Sequence, residues 1–149
     1  MILIGLPASG KTTFYRERFA STHAHVSKDL LRNNRRADRR QEQLIVETLA
    51  RGHSVVVDNT NASIDVRAQL VALARAHGAQ VIGYYFPTET ADALRRNRAR
   101  RGRERVADVA IFAIRKRLEP PSPEEGFDRL FTVRLDESNG RFDVEPYSR

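Results

Sequence analysis

MILIGLPASGKTT, residues 1–13, is the stretch from which the rest of the chain can be read. The apolar run Met1–Ile4 breaks directly into a loop bounded by glycines and ending in Lys11, Thr12 and Thr13. Gly5-Leu6-Pro7-Ala8-Ser9-Gly10-Lys11-Thr12 fits G-x-x-x-x-G-K-[ST] without a gap. Glycines let the backbone turn tightly, so that successive N–H groups point at phosphate oxygens. The helix that follows adds the partial positive charge of its N-terminus. In such a cradle Ala8, Ser9, Gly10, Lys11, Thr12 and Thr13 surround the phosphates of ATP or another NTP. Lys11 bridges the outer phosphates and the Thr12 hydroxyl ligates Mg²⁺ (or Mn²⁺). The competing reading is a glycine turn with a solvated lysine. Against it stands the scarcity of lysine: the chain has only Lys11, Lys28 and Lys116.

Outward from the loop, apolar runs and helix-like segments alternate. The pattern predicts strands over Met1–Ile4, His25–Ser27, Ser54–Val57, Ala79–Phe86 and Phe127–Leu135. Helices are expected over Lys11–Ala20, Gln41–Arg51, Ser63–His77, Thr88–Arg101 and Ala107–Leu118, with a helical turn from Lys28. The continuous β-branched run of Ser54–Val57 suits a strand covered on both faces. The order predicts an α/β fold with a parallel sheet of about five strands flanked by helices, in one domain over residues 1–149. Asp136–Arg149 reads as a turn and tail, with only faint alternation over Arg141–Val144.

The 149 residues contain no cysteine, which removes disulfides and Cys-ligated metal centres and fits a reducing, cytoplasmic setting. No apolar run approaches a membrane span. The net charge of +7 is local rather than uniform. RRNRARRGRER, residues 95–105, carries seven arginines against one glutamate, while residues 118–149 hold eight acids and four arginines. A basic device of this kind suits a polyanion, whether nucleotide phosphates or a nucleic-acid backbone.

Three further segments bear on the acceptor of a phosphate. In Ser27-Lys28-Asp29-Leu30-Leu31-Arg32, Asp29 and Arg32 are neighbours on one helical face. A carboxylate there can accept a hydroxyl proton while the arginine holds an adjacent phosphate; a helix-start acid beside a surface arginine is the alternative. Val55-Val56-Val57-Asp58-Asn59-Thr60-Asn61 ends a strand in an acid that can support Mg²⁺ through water, or reads as a capping turn. The arginine run occupies the position of a lid, about 95–106, whose arginines can stabilise a transferring phosphoryl group. A solvated basic face is the alternative. Seven arginines cannot all reach one triphosphate, so some face solvent or a polymer backbone. His23 and His25, two apart, read as ordinary strand or loop histidines, with no third ligand for a metal.

GLPASGKTT, SKDLLR, VVVDNTN and LRRNRARRGRERV, in that order and followed by the EGFDRLFTV strand, resemble the polynucleotide 5′-hydroxyl kinase family of P-loop phosphotransferases. The resemblance spans roughly Met1 to Leu135. It implies an ATP- and Mg²⁺-dependent enzyme that transfers the γ-phosphate to RNA or DNA 5′-hydroxyl ends. It further implies Asp29 as general base, Arg32 on the 3′-phosphate of the acceptor nucleotide, Asp58 at the metal and acceptor site, and Arg96 with Arg100 or Arg101 on ATP. The catalytic set so implied is Lys11, Asp29, Arg32, Asp58 and Arg96. The lid is one residue longer between Asn97 and Gly102 than the family pattern, which leaves Arg100 and Arg101 as alternatives. Family members are often fused to phosphatase or ligase domains. Expected partners are therefore an NTP and nucleic-acid ends, without a membrane, and a homodimer is compatible with the chain. A P-loop kinase of a small molecule, or a nucleotide-gated nucleic-acid-binding protein without transfer, would use the same cradle.

Overall fold

In the computed structural model, which describes all 149 residues, the opening run forms β1 (Ile2–Gly5) and the glycine loop feeds α1 (Lys11–Arg18). There follow β2 (His23–Val26), a 3₁₀ turn (Lys28–Leu31), α2 (Ala37–Ala50), β3 (Ser54–Asp58), α3 (Ile64–Ala76), β4 (Ile82–Phe86) and α4 (Thr90–Ala99). A 3₁₀ turn (Gly102–Glu104), α5 (Asp108–Arg117), a 3₁₀ turn (Pro123–Glu125), β5 (Arg129–Asp136) and β6 (Arg141–Pro146) complete the chain. The sheet order is β2-β3-β1-β4-β5-β6; the first five strands pair in parallel and β6 is antiparallel to β5. This is a P-loop NTPase-like fold with an arginine-rich lid between α4 and α5.

Both faces of the sheet are covered at its centre, which is why β1 and β3 read as unbroken apolar runs. Ile2 and Ile4 of β1 meet Val71 of α3, Ala93 of α4 and Ile111 of α5, whereas Leu3 faces Phe14 of α1. On β3, Val55 and Val57 pack with Ile45 of α2 while Val56 joins the α1 side. Helices α2 to α5 thus cover one face and α1 the other. Because β3 and β4 leave β1 in opposite directions, a crevice opens at the carboxyl ends of these strands, where ligands bind in open α/β sheets. The glycine loop and Asp58 both lie there. No helix is long and apolar enough to cross a membrane.

Three differences from the sequence expectations have physical reasons. The helix expected from Gln41 begins at Ala37, because the arginines at 39 and 40 are good helix formers and Asp38 suits a first turn. The strand expected from Ala79 begins at Ile82, since the Val81 N–H donates to the Asp128 carboxylate (2.7 Å) rather than into the ladder. The sheet has six strands rather than about five: the segment expected as a tail forms β6. Only Phe142 and Val144 alternate with Arg141, Asp143 and Glu145, a pattern too short to read alone. Its stabilisation is tertiary, as the Phe142 ring lies 5.3 Å from that of Phe14 and 6.5 Å from that of Phe86.

Candidate active site

The glycine loop closes around its own lysine. Lys11 Nζ donates to the carbonyls of Gly5 (3.0 Å) and Leu6 (2.6 Å) and to Ser9 Oγ (3.2 Å). Burial lowers its pKa to about 8; Asp58 and Asp29 oppose that shift and Arg100 adds to it. The loop needs left-handed backbone at Ala8 (φ 60°) and Gly10 (φ 97°). A side chain on Gly10 would also meet the Phe142 ring at 3.1 Å, so β6 braces the cradle from outside.

Asp58, at the carboxyl end of β3, is buried and accepts two hydrogen bonds on one oxygen. Thr12 Oγ1 donates to Oδ2 at 2.6 Å, and His25 Nε2 lies 2.8 Å from the same atom. Burial alone would raise the Asp58 pKa, but the His25 and Thr12 hydrogen bonds and the Lys11 charge hold it below the ordinary carboxylate value. The β2–β3 register sets His25 beside Val56, and the Tyr15 ring stacks on its imidazole at 4.1 Å. His25 is therefore more than the ordinary strand histidine expected from sequence; its partner is 33 positions away. His23 lies instead beside Thr22 Oγ1 and the edge of Phe19.

Asp29 lies in the 3₁₀ turn capped by Ser27, whose Oγ accepts from Asp29 N, and Arg32 directly follows its last residue. Positions three apart eclipse in such a turn, and Arg32 Nη2 lies 3.4 Å from Asp29 Oδ1. The turn is tied to the end of β3, because Lys28 N donates to Asn59 Oδ1 (2.8 Å) and Asn59 Nδ2 to Gln41 Oε1 (2.6 Å). Two cavities meet at this point. One, of about 260 Å³, runs along Pro7–Thr12 to Asp29, Asp58 and Arg100. The other, of about 350 Å³, lies against Thr12, Thr13, Arg16 and His25. Asp29, Arg32, Asp58 and Arg100 line both. A further cavity of about 440 Å³, mostly apolar, sits at the opposite ends of the strands, far from these groups.

The lid arginines separate by location. Arg100 lines both cavities at the loop; Arg101 lines neither and is exposed. Arg96 lies outside them, with Nε on Glu137 Oε1 (2.7 Å), and Arg95 binds Asp92 and the same Glu137. The ends of the lid are clamped by Asn97, fully buried, which donates to Val106 O (2.7 Å) and accepts from Val106 N (3.1 Å). Sequence reading missed both Asn97 and Glu137; the asparagine within the arginine run was the available signal. For a divalent cation held with a nucleotide, the Thr12 hydroxyl and Asp58 carboxylate are oxygen donors of the kind Mg²⁺ takes. The fold implies nucleotide and Mg²⁺ binding in general.

The sequence model of the AAA domain family matches residues 1–121. The bifunctional polynucleotide phosphatase/kinase of Schizosaccharomyces pombe is 24% identical over 137 residues, covering 89% of this chain and 33% of that protein. The chain spans about a third of the length of the curated relatives it matches. A fungal RNA kinase structure superposes with a TM-score of 0.66 at 18% identity, over 91% of this chain and 74% of the other. A gluconokinase of Sinorhizobium meliloti gives 0.64 at 19% identity, over 91% and 82%.

Proposed function

We propose that this chain, which belongs to the AAA domain family and is a P-loop kinase related to polynucleotide and RNA kinases, transfers the γ-phosphate of ATP to the 5′-hydroxyl of a polynucleotide. The observation that carries the reading is the junction of the two cavities at Asp29, Arg32, Asp58 and Arg100. A donor nucleotide seated on residues 7–12 and an acceptor seated against His25 and Arg16 would meet beside three carboxylates, Glu104 of the lid being the third, and two guanidiniums.

In this mechanism the acceptor oxygen attacks the γ-phosphorus, the bond to the β–γ bridging oxygen breaks, and ADP leaves. Asp29 accepts the hydroxyl proton. Arg32 holds the phosphate 3′ of the acceptor sugar, fixing the hydroxyl in line. Lys11 turns from the loop carbonyls onto the outer phosphates, and Arg100 stabilises the charge that spreads over the transferring group. Arg96 would join it only after leaving Glu137. Thr12, and Asp58 through water, would hold Mg²⁺, which neutralises charge on the β- and γ-phosphates when bound.

The test is label transfer from γ-labelled ATP to 5′-hydroxyl RNA and DNA oligonucleotides, run beside gluconate and nucleosides. Product on the oligonucleotides and none on the small molecules is expected. Transfer to a small molecule alone would move the chain to the rival acceptor class that the gluconokinase fold represents.

A further inference from the structure

A third, open cavity of about 460 Å³ leads away from the acceptor side, formed by the turn from Asp29 to Arg35 and by Arg103 of the lid. Asp29 and Arg32 line it as well as both site cavities, and Arg103 is shared with the acceptor cavity, so the three are continuous. We propose that this groove is the path of a single-stranded polynucleotide on the 3′ side of the reacting nucleotide, with Arg35 and Arg103 taking successive backbone phosphates. The inference rests on the kinase reading above and gives its acceptor a length.

Of the three arginines that line the groove, Arg35 and Arg103 are the two without a charge partner. Arg95 and Arg96 are held by Asp92 and Glu137, and Arg98 by Asp108. Arg35 and Arg103 are exposed, and their side chains have no hydrogen-bond or ion-pair partner within the protein. Asp29 is the one acid on the groove, and Arg32 already lies beside it. The arginines of α4 are thus neutralised within the protein, whereas Arg35 and Arg103 face the groove uncompensated. Exposed guanidiniums without acids suit phosphodiesters, which they bind with release of counterions. Leu30, 66% exposed on the same wall, offers apolar surface to an unstacked base, and Asn33 offers an amide to a base edge.

The groove separates substrates by length. A nucleoside 3′-monophosphate carries the 5′-hydroxyl and the phosphate for Arg32, but nothing for Arg35 or Arg103. A hexanucleotide reaches all three. Losing two single-strand phosphate contacts lowers the salt slope of binding by about 1.4. Between 50 and 200 mM salt, the affinity of the unaltered protein for a hexanucleotide should therefore fall about sevenfold more than that of Arg35→Ala/Arg103→Ala.

The experiment measures anisotropy of 3′-labelled, 5′-hydroxyl RNA and DNA hexanucleotides across that salt range. It also measures KM for the hexanucleotides and for a nucleoside 3′-monophosphate. The double variant should show the shallower slope, and its hexanucleotide KM should rise several-fold more than its monophosphate KM. Arg35→Lys/Arg103→Lys should restore the slope. Arg39→Ala/Arg51→Ala removes equal charge outside the groove and should change none of these. An unaltered slope in the groove variant, or an equal loss in the charge control, overturns the proposal. So does polyglutamate that competes as well as the oligonucleotide, which would assign the groove to an acidic protein. Absence of transfer to either acceptor, with the slope difference intact, overturns the kinase reading and not the groove.

Discussion

Replacing Glu125 with glutamine should unfold this protein at a much lower temperature, for a reason set by Arg67. That arginine has no solvent exposure, and Glu125 is its one carboxylate partner. Nε and Nη2 reach the two oxygens of Glu125 at 2.7 and 2.8 Å, while Nη1 donates to the carbonyls of Asn61 (3.0 Å) and Ala62 (3.1 Å). Glutamine keeps the shape and can still accept from Ser122 N, which lies 2.9 Å from Glu125 Oε1. Its amide N–H groups then face a guanidinium that cannot lose its proton. Stranding a buried charge costs about 3–5 kcal/mol. Unfolding entropy for a chain of this size gives roughly 3 °C per kcal/mol, so Tm should fall by about 10–15 °C in calorimetry at neutral pH. Arg67→Met/Glu125→Leu removes both charges and should be more stable than Glu125→Gln alone, although it leaves two carbonyls without that donor. A Tm loss below about 3 °C, or a double variant no better than the single, would refute the reasoning.

Asp29→Ala should abolish transfer while ADP binding by calorimetry stays within about twofold, because the side chain is exposed and ties down no other element; retained turnover removes it as the base. His25→Leu should weaken Mg²⁺-dependent ADP binding about tenfold by freeing the Asp58 carboxylate, with His25→Gln recovering most of it, whereas equal loss in both variants would indicate packing on Tyr15 instead. The lowered pKa of Lys11, about 8 against an ordinary 10.5, has two consequences of opposite sign. Between those values the unfolded chain binds more protons, so chemical-denaturation stability should rise with pH from about 8 to 10.5. Nucleotide affinity should fall as pH passes 8, with proton uptake on binding; a flat affinity profile would argue that Lys11 stays charged in its cradle.

The parts of the site visible in sequence are those written locally. The glycine loop, the Asp29/Arg32 spacing and the acid at the end of β3 each lie within a few residues, where spacing alone fixes neighbours. What escaped depends on distant pairing. His25 meets Asp58 only because β2 lies beside β3 in one particular register. Glu137 reaches Arg95 and Arg96 from the β5–β6 turn, so the division of the lid into neutralised and exposed arginines could not be read before that hairpin was known. The sixth strand was obscure for the same reason: its two apolar residues gain their meaning from Phe14 and Phe86, more than fifty positions upstream.

The contact between Phe142 and Gly10 also orders events during synthesis. The cradle leaves the ribosome well before its outer wall, which comes from a strand made some 130 residues later. At roughly 5–20 residues per second, that interval lasts on the order of ten seconds. Over that time β1 waits for β3 and β4 to flank it and for β6 to close the loop from behind. A nascent chain would therefore acquire its nucleotide grip as a late step. A strand-pairing error near the carboxyl end would be felt first at the phosphates.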